Sequence, residues 1–171
     1  MYLIEEIKKI LNKISFKNSF ICSLTVLGVF LIDRFTKKKV IENLLNHNEV
    51  YINDFLNLSL VFNTGIGFGI LSFNASIAYH LITLIIFLIL FILIYLIIKS
   101  IFFEKILYSL ILGGALGNLY DRVIYFAVPD FIDIHFKEYH WFTFNIADIF
   151  ISLGVILLLL NEWIFKKDEN K

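Results

Sequence analysis

The stretch IAYHLITLIIFLILFILIYLII, residues 77–98, runs for 22 positions without an Asp, Glu, Lys or Arg. A helix rises 1.5 Å per residue, so about 20 apolar residues cross the roughly 30 Å hydrocarbon core of a bilayer. This run meets that requirement by itself and predicts an integral membrane protein. Composition agrees. Of 171 residues 59% are hydrophobic, and mean hydropathy is +0.82, whereas a soluble domain is about 45–50% apolar.

Working outward, residues 146–165 form a second long apolar segment, in spite of Asp148 near its start and Glu162 near its end. Residues 20–35 are shorter and end in charge, so their N-terminal flank must complete a span. Residues 106–120 are Gly-rich at the end and are extended by Phe102 and Phe103. The expected fold is mainly α: an integral membrane bundle of four transmembrane helices with a small extracytoplasmic β-sheet. One domain covers 1–171, with spans near 18–37, 76–98, 103–122 and 145–165 and outer-face loops at 38–75 and 123–144. An even number of spans places both termini on one side. Nine lysines lie on that side (Lys8, Lys9, Lys13, Lys17, Lys99, Lys105, Lys166, Lys167 and Lys171) against four on the other (Lys37, Lys38, Lys39 and Lys137). Positive charge is retained in the cytoplasm, so cytoplasmic termini are predicted. The alternation in residues 55–62 suits a half-buried strand. Gly65, Gly67 and Gly69 after it permit tight turns, and Trp141, Phe142 and Phe144 suit a membrane interface.

Several classes are excluded or disfavoured. Net charge is zero, which gives no footprint for nucleic acid. The lone Cys22 forbids an internal disulfide and reads as a lipid-facing or packing residue. The basic start looks like the n-region of a signal peptide, but no small-residue cleavage site follows, so it reads as an uncleaved first span. His47, His80, His135 and His140 show no metal-ligand spacing, and no nucleophilic serine or cysteine motif is present.

The polar residues are concentrated. Asp148 sits one turn inside the last apolar segment, where a charge costs roughly 2.5–3.5 kcal/mol on insertion scales and marks a functional site by default. Its structural explanation would be a buried pair with Arg122. Asn145 stands where it can cap the helix carrying Asp148. Asp33 and Lys37 are four apart and share a helix face, as a surface pair at the helix end would. Asn118, Asp121 and Arg122 fall at i, i+3 and i+4 near the end of the third span, where an Asp–Arg pair is the plain reading. Gly113, Gly114 and Gly117 suit close helix packing. Asp130 follows the only proline, which restricts the backbone around it. Two carboxylate groups near one membrane face point to acid–base chemistry on a lipid-embedded substrate. The rival class is a small proton- or ion-coupled transporter, although residues 85–94 carry no polar side chain that would continue a path. A structural membrane subunit is the third reading. Asp121 and Asp130 both compete to partner Asp148.

Taken together, the boxes Asp33-Arg34-Phe35-Thr36-Lys37, residues 63–69, residues 113–122, residues 128–133 and Phe144-Asn145-Ile146-Ala147-Asp148 resemble, in order, those of the bacterial lipoprotein signal peptidases, the type II signal peptidases. The resemblance implies a membrane aspartyl endopeptidase with the dyad Asp130 and Asp148. It also implies substrate-binding Asn63, Asn118, Arg122 and Asn145, and supporting Asp33, Lys37, Gly65 and Asp121. It favours Asp130 over Asp121. Further implications are diacylglyceryl prolipoproteins as substrates cut before the lipidated cysteine, membrane lipids as surroundings, a monomer in the bacterial inner membrane, and no metal or organic cofactor. Two positions depart from the family's pattern: Gly67 stands for Ala, and Pro129 for Val before Asp130, where it removes a backbone donor and is expected to alter the loop.

Overall fold

The computed structural model describes residues 16–44, 49–65 and 75–169. The elements run α1 (Phe16–Leu44), β1 (Val50–Asn53), β2 (Leu56–Asn63), α2 (Ala75–Lys99), α3 (Phe102–Tyr125), β3 (Val128–Phe136), β4 (Tyr139–Phe144) and α4 (Ile146–Glu169). The turn-forming roles of Gly67 and Gly69, the Gly67 departure and His47 lie outside the described residues, as do Lys8, Lys9, Lys13 and Lys171.

The chain is thus mainly helical with one small antiparallel sheet. Among the described residues three helices, at Phe16–Leu44, Tyr79–Lys99 and Ile146–Ile164, are long and apolar enough to cross a membrane. The fourth, α3, is the hub and packs against α1, α2 and α4. Its middle, Ile111 to Ala115, is buried throughout. Leu90 and Leu93 of α2 close on Ile111, Leu112 and Ala115 to make the apolar core. From Leu81 to Ile98 most of the other α2 side chains are apolar and exposed, as expected of a helix whose outer solvent is lipid.

Glycine sets the helix spacing, as the run Gly113-Gly114-Ala115-Leu116-Gly117 suggests. A Cβ on Gly113 would come within 2.8 Å of the Val26 carbonyl oxygen on α1. One on Gly114 would come within 2.6 Å of the Ala147 carbonyl oxygen on α4, and one on Gly117 would strike the Asp33 carboxylate. Gly154 on α4 plays the same part from the other side, approaching Ile111 and Leu107. Gly114→Ala is therefore expected to destabilise the fold by about 1–3 kcal/mol, the usual cost of overpacking a tight interface. Thermal unfolding in detergent measures this. An unchanged midpoint would show that α3 and α4 can separate freely.

The sheet has the order β1-β2-β3-β4, every neighbour antiparallel. The expected strand at 55–62 is present as β2. Residues 123–144, expected as a loop, instead complete α3 to Tyr125 and then form the β3–β4 hairpin, with Lys137 at φ 55 in its turn. Likewise α1 continues to Leu44, beyond the expected span end at 37. Pro129 lies in strand β3, not in a loop. It pairs with Phe62 of β2, whereas β4 pairing begins only at Ile132. At that point β3 has one sheet neighbour, so a missing N–H is tolerated as it is at a strand start or edge.

Candidate active site

The last helix begins with a reciprocal cap. The Asn145 side-chain oxygen accepts the Asp148 N–H at 3.2 Å, and the Asp148 carboxylate accepts the Asn145 N–H at 3.1 Å. This is the capping-box arrangement, with Asn at the N-cap and Asp three residues on. It holds the Asp148 side chain back against the helix start, where free N–H groups and the helix dipole suit negative charge. The Ala147 N–H donates to Asp33 Oδ1 at 3.1 Å, so a carboxylate from α1 satisfies another orphan donor.

Strand β3 brings Asp130 to the same place. Its Oδ1 accepts from Asn145 Nδ2 at 2.6 Å and its Oδ2 from Asn63 Nδ2 at 2.8 Å. Asn145 therefore touches both aspartates, through its amide to Asp130 and its backbone to Asp148. Asn118 of α3 donates to Asp148 Oδ1 at 2.8 Å. Asp130 is only 3% exposed. Burial raises its pKa above the ordinary 3.8; the two amide donors oppose this, and the nearby Asp148 charge adds to the rise. The donors around the two aspartates are amides, not cations.

Asp121 is placed differently. Lys37 Nζ donates to Asp33 Oδ2 at 2.9 Å, Asn118 Oδ1 at 2.9 Å and Asp121 Oδ2 at 2.7 Å, which uses all three ammonium hydrogens. Arg34 forks onto both oxygens of Asp121, the Nη2 bond at 2.7 Å, and also reaches Asp33 Oδ2 at 2.8 Å. Two carboxylates and two cations thus close a buried network with no net charge. Asp121 is ion-paired with Arg34 and Lys37, and not with Arg122 as its neighbourhood in sequence suggests. Asp33 and Lys37 form a buried pair and not a surface one. Arg34 is the member that sequence reading missed. It stands beside Asp33 inside the first box, and nothing in the linear sequence points to a partner 87 residues away.

Arg122 does not pair with Asp148 either. Its Nη1 faces the Thr64 carbonyl oxygen at 3.5 Å, its guanidinium lies 5.7 Å from the Tyr79 ring centre, and the Tyr79 hydroxyl donates to its backbone carbonyl. A Cβ on Gly65, at φ +83, would stand 2.8 Å from the Arg122 guanidinium. Gly65 is therefore required both by its backbone conformation and by this close approach. Its N–H donates to Asn63 Oδ1 at 2.7 Å, which fixes the amide that reaches Asp130. All ten expected site residues thus gather at one end of the helices. Among the described residues no carboxylate forms an ion pair with Arg122.

The profile of the family described as signal peptidase (SPase) II matches residues 25–164. A lipoprotein signal peptidase of Pelagibacter ubique is 44% identical over 165 residues, covering 94% of this chain and 99% of that protein. One of Clostridium tetani is 42% identical, covering 84% and 90%. A solved bacterial membrane enzyme superposes with a TM-score of 0.69 at 34% identity, covering 88% of this chain and 91% of its own. These likenesses give the transporter alternative no support. They extend over the sheet and all the helices that supply the polar cluster, and the chain belongs to the signal peptidase II family.

Proposed function

We propose that Asp130 and Asp148 are the catalytic dyad of a membrane aspartyl endopeptidase that removes signal peptides from prolipoproteins. The observation that carries this reading is Asn145: one residue hydrogen-bonds both carboxylates while Lys37 and Arg34 are committed to Asp33 and Asp121. Peptide hydrolysis needs a base to take a proton from water, an acid to protonate the carbonyl oxygen, and a proton for the leaving amine, which the base can return from the water it deprotonated. Asp148, on the donor-rich helix start, is the base. Asp130, whose proton is held by burial and by the Asp148 charge, is the acid. Aspartic proteases in general work through neighbouring carboxylates that share a proton in this way. No metal or organic cofactor enters these steps.

Asn63, Asn118 and Asn145 hold the carboxylates in place and present amide groups to the peptide. Arg122, buried without a carboxylate partner among the described residues, has a guanidinium ready to donate to peptide carbonyls. Asp33, Lys37, Asp121 and Gly65 support this set. The substrate is a diacylglyceryl prolipoprotein cut before the lipidated cysteine. Each CH₂ buried in lipid contributes about 0.8 kcal/mol, so two acyl chains hold it at the membrane. The chain acts as a monomer of four spans over 1–171 in the bacterial inner membrane, with cytoplasmic termini. The sheet lies at the outer face, and exposed Tyr139, Trp141 and Phe142 on β4 suit the interface. The test is purified protein in detergent with a diacylglyceryl prolipoprotein. Mass spectrometry should find one cut, immediately before the modified cysteine. Cutting elsewhere, or none by folded protein, defeats the reading.

A pH dependence follows from Asp130. Because its folded pKa lies above the unfolded value near 3.8, the native state binds the more protons between those values. Stability falls as pH rises through that window. Activity, which needs the same proton, persists above the ordinary Asp range and is lost as pH passes the raised value. Thermal midpoints of wild type and Asp130→Asn across pH check the first part: the variant should lose this component of the slope. Identical slopes would mean Asp130 titrates normally.

A further inference from the structure

A second cluster lies on the hairpin, outside the dyad and its network. Asp133 and His135 stand two apart on β3 and share a sheet face; they are 3% and 6% exposed. His140 on β4 is the register partner of His135, their rings stacked 5.3 Å apart. His140 Nδ1 lies 2.6 Å from Asp133 Oδ2. One ligating atom from each of the three lies within 4.8 Å of the others. On the other side Asn57 of β2 pairs with Asp133. Among the described residues, Asp133 Oδ1, His135 Nδ1 and Asn57 Oδ1 are all buried without a hydrogen-bond partner. Buried polar atoms are rarely left so. All three can present a lone pair, which a cation or a hydrogen-bond donor can take up.

We propose that Asp133, His135 and His140 form a binding site for a divalent transition metal, best suited to Zn²⁺. Two imidazoles and a carboxylate are a zinc donor set, bonded at about 2.0–2.2 Å with ligand atoms roughly 3.3–3.4 Å apart on a tetrahedron. The Asp133–His140 pair is closer than that and all three ligand atoms lie within 4.8 Å of one another, so side-chain rotation suffices. Mg²⁺ and Ca²⁺ prefer oxygen ligands in larger number and fit poorly. His140, whose side chain is 52% exposed, is the entrance from solvent. Asn57 Oδ1 or water fills the fourth position. The ion staples β3 to β4, the hairpin that starts beside Asp130 and ends at Asn145. It takes no part in the peptidase steps.

The test uses tag-free full-length protein in detergent, stripped with chelator and titrated with Zn²⁺ and, separately, Co²⁺. The expected result is one equivalent bound, visible Co²⁺ bands of a low-coordinate N/O site, and a Zn²⁺-dependent rise in thermal midpoint. His140→Ala should bind on the order of 100-fold more weakly, while His80→Ala and the response to Mg²⁺ serve as controls that leave Zn²⁺ binding intact. Wild type that takes up no more metal than His140→Ala, or a Co²⁺ spectrum of the hexaaquo ion, overturns the proposal. If His140→Ala does not fold, the wild-type Co²⁺ spectrum decides alone.

Discussion

Asp130→Asn and Asp148→Asn should each lower prolipoprotein cleavage by on the order of 10⁴-fold, the scale seen when one member of a catalytic unit is removed. Asparagine is nearly isosteric with aspartate, and both positions are already surrounded by amides, so the fold should persist. The loss would then be chemical. A carboxamide at position 148 cannot take a proton from water, and one at position 130 cannot hold a proton for the carbonyl oxygen. The discriminating variant is Asp121→Asn. Its carboxylate is spent on Arg34 and Lys37, so its folded fraction should still cut. Single-turnover cleavage by each variant, scaled to folded protein from circular dichroism, makes the comparison. A dead, folded Asp121→Asn beside an active Asp130→Asn would reassign the dyad.

Lys37→Met should be the most damaging change to stability. Lys37 is 1% exposed and bonds Asp33, Asn118 and Asp121 at once. Without it, two buried carboxylates share one cation, Arg34. Removing one partner from a buried charge network typically costs about 3–5 kcal/mol, because the remaining charge stays desolvated. At roughly 2–4 °C per kcal/mol for a chain of this size, the midpoint should drop by about 10 °C. Lys37→Arg should fall between, since it restores the charge but offers a planar fork where a compact three-way donor fits. The folded fraction of Lys37→Met should also cut more slowly, because Asn118 loses the contact that steadies its amide against Asp148. Equal midpoints for Lys37→Met and Lys37→Arg would show that charge balance is not what the network supplies.

The placement of Asp33 explains why these effects are coupled. One of its oxygens caps the helix of Asp148 through Ala147, and the other binds Lys37 and Arg34. Gly117 permits this by leaving no Cβ in the way of the carboxylate. Helix packing, charge balance and the position of Asp148 are therefore one problem solved by adjacent residues of α1, α3 and α4.

Much of this was legible in the linear chain. The apolar runs announce membrane helices because lipid demands length and hydrophobicity more than any periodicity. The glycine run announces close packing, and Asn145 three residues before Asp148 announces a cap, because both depend on local spacing alone. The alternation of residues 55–62 announces β2. The β3–β4 hairpin was not legible. Val128 to Phe131 are buried on both faces and so do not alternate, Pro129 argues against a strand, and the aromatic residues of β4 read equally well as an interfacial loop.

By itself, the sequence determined that this is a membrane protein with its polar residues gathered near helix ends. Its ordered boxes pointed to the family. Only the tertiary structure decided which charges neutralise which. Asp121 is answered by Arg34 and Lys37, Arg122 faces Thr64 and Gly65, and Asp130 meets Asp148 through Asn145. The same holds for Asp133, His135 and His140, whose spacing resembles no ligand motif until the hairpin register places them together. The physical reason is common to all of these. Local spacing reports a residue's neighbours on its own helix or strand, whereas the partner of a buried charge is supplied by whichever distant segment the packing brings within hydrogen-bond reach.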